Sequence, residues 1–452
     1  MINGTLAQVA THTHGQVRGA AHYHGISTDT RTLAAGQLFV ALKGEHFDAH
    51  DYLDAAANAA GVLLSRECTT ACPQVVVADT RRALGDLARA WRRAHDLALV
   101  AVTGSNGKTT TKEMIASILR QQGPTLATQG NLNNDIGVPQ TLFQLAAEHR
   151  YAVVEMGANR PQDIRELVAI AEPSVALVTM CSAAHLAGFG DLAGVARAKG
   201  EIYAQLGAAG TAVLNADDVY HNQWRQVAGA ARTLTFGLDH PAQVSACEVS
   251  PGALGEGTYF TLRLAGRAAP VHLPFDGRHN VRNALAAAAV GLALEVPLAA
   301  IVRGLESAAP VKGRLTVRHG RAGLTVIDDT YNANPASLAA ALALLAAQPA
   351  PRWLLVGDMG ELGSASEAAH RAAGQAARAA GVERLFSVGP LAALAAAAFG
   401  AGAQAFASRA AALEGLRDLD TAGVTLLAKG SRSMQIDLLV AALLAPPVVP
   451  TC

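Results

Sequence analysis

The chain carries no surplus of charge, since 36 lysines and arginines balance 36 aspartates and glutamates. That balance excludes a global basic field for nucleic acid, and there is no acidic tail. Cysteine is scarce. Cys68, Cys72, Cys181, Cys247 and Cys452 form an odd, scattered set that is no disulfide framework. No second Cys/His pair follows Cys68 and Cys72 at metal spacing, so the five read as ordinary thiols in a reducing compartment. No basic segment precedes an apolar one at the start, so no signal peptide is expected. The uncharged stretch 385–408 is mostly alanine and glycine, with Pro390 and Gln404 inside it. It divides into a strand, a turn and a short helix, which excludes a membrane span there. Internal repeats are lacking too. A cytoplasmic protein without a nucleic-acid partner is expected.

What is present is length and rhythm. At roughly 100–200 residues per domain, 452 residues suggest two to four domains. Short β-like runs at 37–42 and 74–78 alternate with helical patterns such as 54–60. A helical pattern covers 81–95, and Leu97-Ala-Leu-Val-Ala-Val102 reads as a fully buried parallel strand. Strands and helices then alternate at 151–155, 161–170, 175–180, 192–206 and 212–214, the rhythm of a doubly wound sheet. From 233 to 273 short strands broken by Gly and Pro predict an antiparallel excursion, and an alanine-rich helix follows over 280–294. A second α/β series begins after Gly313-Arg314.

Between the strand ending at Val102 and a helix beginning near Lys108 lies Thr103-Gly-Ser-Asn-Gly-Lys-Thr-Thr110. Glycines let the backbone approach phosphates, and a helix N-terminus aims amide hydrogens at the anion. Lys108 is expected to neutralise the β- and γ-phosphates, and the Thr109 hydroxyl to ligate Mg²⁺. The usual pattern has a glycine where this chain has Val102, so the loop is a shorter variant. Gly104, Ser105, Asn106, Gly107, Lys108, Thr109 and Thr110 are the candidate nucleotide contacts. The plain alternative is a Gly-rich turn with an exposed lysine, and the flanking strand and helix speak against it. Three α/β domains are expected: a small N-terminal substrate domain at 1–80, a central P-loop doubly wound sheet at 81–312, and a C-terminal Rossmann-like domain at 313–452. Nucleotide binding alone names no reaction, because switches, kinases and motors share this loop.

Three polar residues stand beyond predicted strands of the same sheet, where open α/β sheets bind ligands. Glu155 ends the strand 151–155, His185 follows 175–180, and Lys199 is placed near the start of a helix. Each has a plain alternative, because a lone histidine after a strand caps or packs and a helical lysine is usually solvated. His12 and His14, and His22 and His24, form His-X-His pairs that a strand would set on one face; surface hairpin histidines are expected there rather than a metal site.

Taken in order, the loop at 103–110, Glu155-Met-Gly-Ala-Asn, His185-Leu-Ala-Gly-Phe-Gly, Lys199-Gly-Glu-Ile-Tyr, His279-Asn-Val-Arg-Asn283, Gly313-Arg314 and Asp328-Asp-Thr-Tyr-Asn-Ala-Asn-Pro335 resemble the motif series of the Mur ligases. These enzymes build the peptide stem of bacterial peptidoglycan. The resemblance runs from about Ile26 to Arg432. The segments 27–31 with 39–44, 130–139 and 357–363 resemble the member that adds D-alanyl-D-alanine. The Asp-Asn-Pro-Arg motif of the diaminopimelate-adding member is missing from the third domain.

The resemblance implies an ATP-dependent ligase that activates the carboxylate of UDP-N-acetylmuramoyl-tripeptide as an acyl phosphate and joins it to D-alanyl-D-alanine. A monomer using ATP and two Mg²⁺ ions is expected. Lys199 matches a lysine carried as a CO₂-derived carbamate. His185 and that carbamate would bind the second Mg²⁺, with Glu155 and Thr109 supporting the first. Asn283 matches an adenine contact, Asp329 a ribose contact and Arg314 a γ-phosphate contact, so Lys108, His185, Lys199 and Arg314 form the implied catalytic set. Ser27, Thr28, Arg31 and Lys43 are candidates for the uridine diphosphate end, and Asn131, Asn133 and Asn134 for the muramoyl part. Asn332, Asn334, Asp358 and Glu361 are expected to frame the dipeptide or the nucleotide. The alternatives are another amide ligase of this fold, such as a different Mur step or a folylpolyglutamate synthetase, and a nucleotide-dependent switch, against which the Glu155–His185–Lys199 set speaks.

Overall fold

A computed structural model describes residues 1–183, 186–320, 323–417 and 419–445. The expectation for His185 falls outside them.

The central unit is organised by the strand Ala98–Thr103. Leu99 to Val102 are wholly buried, with Leu99 and Ala101 in one apolar layer and Val100 and Val102 in the opposite one. That is the two-residue period of a strand covered on both faces. Tyr151–Glu155 pairs with it in parallel on one side and Val175–Val178 on the other. Thr125–Ala127 lies beyond the first; Thr211–Asn215 and Arg232–Phe236 lie beyond the second. Strand order therefore reverses at Ala98–Thr103, and a crevice opens beyond its carboxyl end.

Three antiparallel strands, Val244–Pro251, Thr258–Leu264 and Arg267–Leu273, complete nine strands in the same sheet. The expected antiparallel excursion thus begins late: Arg232–Phe236 pairs in parallel with both neighbours, and the first antiparallel pairing joins Val244–Pro251 to Thr258–Leu264. The helix Arg278–Ala293 buries Ala284 and Ala286 to Ala289 beside the helix Lys108–Arg120.

The N-terminal unit has a five-stranded sheet ordered Gln16–Arg18, Gln74–Val76, Gly61–Leu64, Leu38–Val40, Ile26–Ser27, and a two-stranded ribbon of Asn3–Thr5 with His22–His24. The capping box Thr5/Gln8 opens the helix Leu6–Thr13, so His12 is helical and His14 is its left-handed cap. The strand expected for that pair is wrong, while His22 and His24 do share an exposed strand face.

The C-terminal unit is a six-stranded sheet ordered Thr316–His319, Thr325–Asp329, Thr425–Lys429, Arg352–Gly357, Arg384–Val388, Ala403–Phe406, parallel except for its first pair. Among the described residues, no helix is long and apolar enough to cross a membrane.

Candidate active site

The phosphate loop is fixed by contacts that only glycine permits. Gly104 sits at φ +148°, and a Cβ there would lie 1.9 Å from Thr179 Oγ1. Gly107 sits at φ +80°, where a Cβ would lie 2.5 Å from Asn283 Oδ1. The Thr179 hydroxyl donates to Asn106 O at 2.6 Å, and the Ser105 hydroxyl to Ser182 O at 3.0 Å. Lys108 opens the helix Lys108–Arg120 and donates to Gly104 O at 2.8 Å. Burial pushes its pKa down, and Glu155 nearby opposes that shift. Thr109 and Thr110 are buried in the first turn of the same helix.

Glu155 Oε2 and Lys199 Nζ are among the buried polar atoms beside this loop that have no hydrogen-bond partner, with Thr111 Oγ1 and Arg314 Nε. Glu155, at the end of its strand and 2 % exposed, accepts from Asn133 Nδ2 at 2.9 Å through Oε1, but its Oε2 is unpaired. Lys199 is wholly buried and its Nζ is unpaired. Burial first, and the charge of Lys108 second, push the Lys199 pKa down to about 7. Lys199 stands in the last turn of the helix Leu192–Gly200, not near a helix start, because Asp191 caps that helix through Gly194 N at 2.6 Å. An orphaned buried group costs roughly 1–3 kcal/mol or more, so Glu155 Oε2 and Lys199 Nζ mark a place built for something else. Among the described residues, no group of three or more His, Cys, Asp and Glu has metal-holding geometry. Of the expected ligands only Glu155 is of those types there.

The loop opens onto a cleft of about 560 Å³. All three units line it: Glu45 from the first, Asn131, Asn133 and Asn134 with the loop from the second, and Arg314, Asn332, Asn334 and Glu361 from the third. A smaller cavity of about 200 Å³ adjoins it and shares Asn106, Gly107 and Arg314. Its walls include Asn283, Asp329, His279 and Lys429. Asp329 and Lys429 end paired strands in register and form a buried ion pair. Burial raises the Asp329 pKa against the pull of Lys429. Burial, with the charges of Lys429 and Arg282, pushes half-buried His279 down to about 4. Arg314 stacks 4.0 Å from the Tyr331 centroid and reaches Thr109 Oγ1 at 3.5 Å.

Other expected residues serve the chain itself. Asp358 is turned away from the cleft, since its Oδ1 accepts from Ala392 N at 2.7 Å and caps the helix Ala392–Phe399. Asn134 Oδ1 accepts from Gly137 N at 2.8 Å while lining the cleft. Ser27 closes a turn onto Asp29 O at 2.9 Å, Arg31 is held by Asp29, and Thr28 accepts from Gln140 Nε2 at 3.0 Å. None of these three, nor Lys43, lines the cleft.

Lys112, Lys429 and Arg432 were not singled out from sequence. Lys112 is buried and donates to Thr128 O at 2.5 Å, and the Thr128 hydroxyl accepts from Glu155 N at 3.0 Å. Its signal was the i, i+4 spacing from Lys108.

The chain matches the profile of the Mur ligase middle domain over residues 102–291 and that of the Mur ligase, glutamate ligase domain, over 313–432. It is 45% identical to a UDP-N-acetylmuramoyl-tripeptide–D-alanyl-D-alanine ligase of Escherichia coli, covering 98% of this chain and 99% of that one. It is 32% identical to the Bacillus subtilis protein of the same name, covering 99% and 100%. The fold superposes on MurF from Acinetobacter baumannii with a TM-score of 0.93 at 38% identity, covering 98% and 99%. It superposes on the MurF ligase of Thermotoga maritima in complex with ADP with a TM-score of 0.82 at 25% identity, covering 93% and 97%.

Proposed function

The chain belongs to the Mur ligase family, and from that premise we propose that it joins D-alanyl-D-alanine to UDP-N-acetylmuramoyl-tripeptide with conversion of ATP to ADP and phosphate. It is an ATP-dependent carboxylate–amine ligase of peptidoglycan synthesis. The observation that carries the reading is one cleft, lined by all three units, with the phosphate loop at its base. Three substrates must meet there. Residues 1–80, 81–312 and 313–452 are the working units of this reading, acting in a cytoplasmic monomer where ATP and UDP-sugars are at hand.

The unpaired Glu155 oxygen fits a divalent cation, a hard ion that prefers oxygen ligands. Glu155 and Thr109 would hold one Mg²⁺, and His185 with a carbamylated Lys199 the second. Bound there, Mg²⁺ supplies neutralisation of charge on phosphoryl oxygens. A lysine amine must be neutral to take up CO₂, and a pKa near 7 makes a large neutral fraction available at neutral pH.

The chain's own residues do the positioning. Backbone amides of the loop cradle the phosphates, Asn283 meets the adenine and Asp329 the ribose. Lys108 and Arg314 hold the charge that spreads over the transferring group as the tripeptide carboxylate attacks the γ-phosphorus and ADP departs. The dipeptide amine, after losing a proton, attacks the acyl carbon, and the tetrahedral intermediate expels phosphate to leave the amide. Closure of the third unit over the cleft keeps water from the acyl phosphate. Asn131, Asn133 and Asn134 are assigned to the muramoyl part, Ser27, Thr28, Arg31 and Lys43, outside the cleft, to the uridine diphosphate end, and Asn332, Asn334 and Glu361 to the dipeptide side.

The test is phosphate release from ATP and Mg²⁺ with UDP-N-acetylmuramoyl-tripeptide, with and without D-alanyl-D-alanine. Release is expected to require both, and Lys199→Ala to lower it at least ~10³-fold, the weight of several kcal/mol of charge stabilisation. Release indifferent to the dipeptide overturns the substrate assignment.

A further inference from the structure

Two cations of the large cleft have no part in the scheme above, and of the two only Arg432 comes from the third unit, where the dipeptide is placed. Among the described residues, Lys108, Arg160, Arg314 and Arg432 are the cations that line it. Lys108 and Arg314 belong to the phosphate end. Arg160 lies on the central wall, 3.7 Å from Asp163. Arg432 comes from the third unit, in the turn Arg432–Met434 that follows the strand Thr425–Lys429.

Its side chain is 64% exposed and makes one long contact, Nη1 to Asp437 Oδ2 at 3.3 Å. Its guanidinium carbon stands 5.9 Å from the centroid of Tyr331, the ring that also carries Arg314 at 4.0 Å. Both arginines thus stand against one aromatic ring of the third unit.

The incoming dipeptide must bring its amine to the acyl carbon, next to the phosphoryl group that Arg314 holds. Its other end is a free carboxylate. A carboxylate that leaves water for a cleft needs a charged donor, and a guanidinium meets it with two parallel hydrogen bonds in a fixed plane. We infer that Arg432 binds the free C-terminal carboxylate of the incoming dipeptide. Arg432 stands against the same ring as Arg314, so it reads the charge at the far end of an acceptor whose amine lies beside the phosphoryl group. A neutral terminus leaves the guanidinium without its partner and is rejected. This inference rests on the ligase reading.

The experiment compares D-alanyl-D-alanine with its C-terminal amide, for the wild type, Arg432→Met and Arg432→Lys. The wild type is expected to prefer the free acid in kcat/KM by roughly 10- to 100-fold, the weight of a charged hydrogen-bonded contact. Arg432→Met is expected to erase that preference by raising KM for the acid, with KM for ATP unmoved. Arg432→Lys keeps the charge but not the fork, and is expected to restore part of the preference. A methionine variant that binds ATP normally and still prefers the acid by the wild-type margin overturns the inference alone. A wild type inactive with D-alanyl-D-alanine overturns the ligase reading and this inference with it.

Discussion

Towards the N-terminal unit, the central sheet shares one apolar cluster that runs from Ile2 and Leu6 through Leu84 and Leu87 to Leu142 and Leu167. Towards the C-terminal unit, hydrogen bonds join the phosphate loop and its neighbours to the third unit. Asn334 Nδ2 donates to Asn106 Oδ1 at 2.8 Å, with the reverse bond at 3.4 Å, and Ala187 N reaches Glu361 O at 3.4 Å. The third unit keeps two apolar clusters of its own, and Leu254 of the antiparallel extension packs on one of them. Hydrophobic burial grows with area and has no direction, so the first seam binds its two units as one body. A few hydrogen bonds, each worth about 0.5–1.5 kcal/mol net, leave the second seam able to open. The phosphate loop, Glu155 and both cavities lie along that second seam. The contrast teaches that substrates enter where the units are joined least.

The largest effect is expected inside the third unit, at the buried pair that lines the smaller cavity beside the polar seam. Lys429→Met leaves Asp329 buried without its cation and is expected to lower stability by about 3–5 kcal/mol, read by urea unfolding. The pH dependence has a definite sign. Burial already holds the Asp329 pKa above its ordinary value, and losing Lys429 raises it further. A carboxyl whose folded pKa is raised favours the fold at low pH and disfavours it as pH climbs through that pKa. The deficit of the variant is therefore expected to grow from acid to alkaline pH; a deficit that shrinks instead contradicts the pairing.

At the apolar side, Leu84→Ala removes a wholly buried side chain from the shared cluster. A loss of about 2–5 kcal/mol is expected, with kcat of the folded fraction unchanged. A large change in kcat without loss of stability would show that the first seam moves during turnover. The smallest effect belongs to Asn334→Ala. It deletes a helix cap and the amide pair to Asn106, with an expected loss of about 1 kcal/mol. Its mark is a slower turnover at nearly wild-type stability, measured as kcat beside the unfolding midpoint.

Local signals carried much of this architecture. The loop at 103–110 declared itself because a buried strand, two glycines and a helix start fall within a few residues, and Glu155 because it ends a run of apolar residues. The Asp329–Lys429 pair has no local signature, since its partners stand a hundred positions apart and meet only through strand register. Arg432 stayed hidden for the same reason. Its neighbour Tyr331 belongs to a different strand's end. Two errors came from helix punctuation. Thr5 and Gln8 mark the start of the first helix, and Asp191 fixes the start of the helix whose last turn holds Lys199, so cap residues rather than the histidine alternation or the lysine's neighbours set these positions. Asp358 was legible as an acidic residue after a strand, whereas its use as a cap for a helix more than thirty residues on was not.

The bond between Asn106 and Asn334 joins two neutral amides. At physiological ionic strength dissolved ions screen charges over about 8 Å, and contacts such as the exposed Arg18–Glu67 pair weaken as salt rises. Dipoles in direct contact offer that screening little to act on. The join between phosphate loop and third unit is thereby expected to respond little to ionic strength.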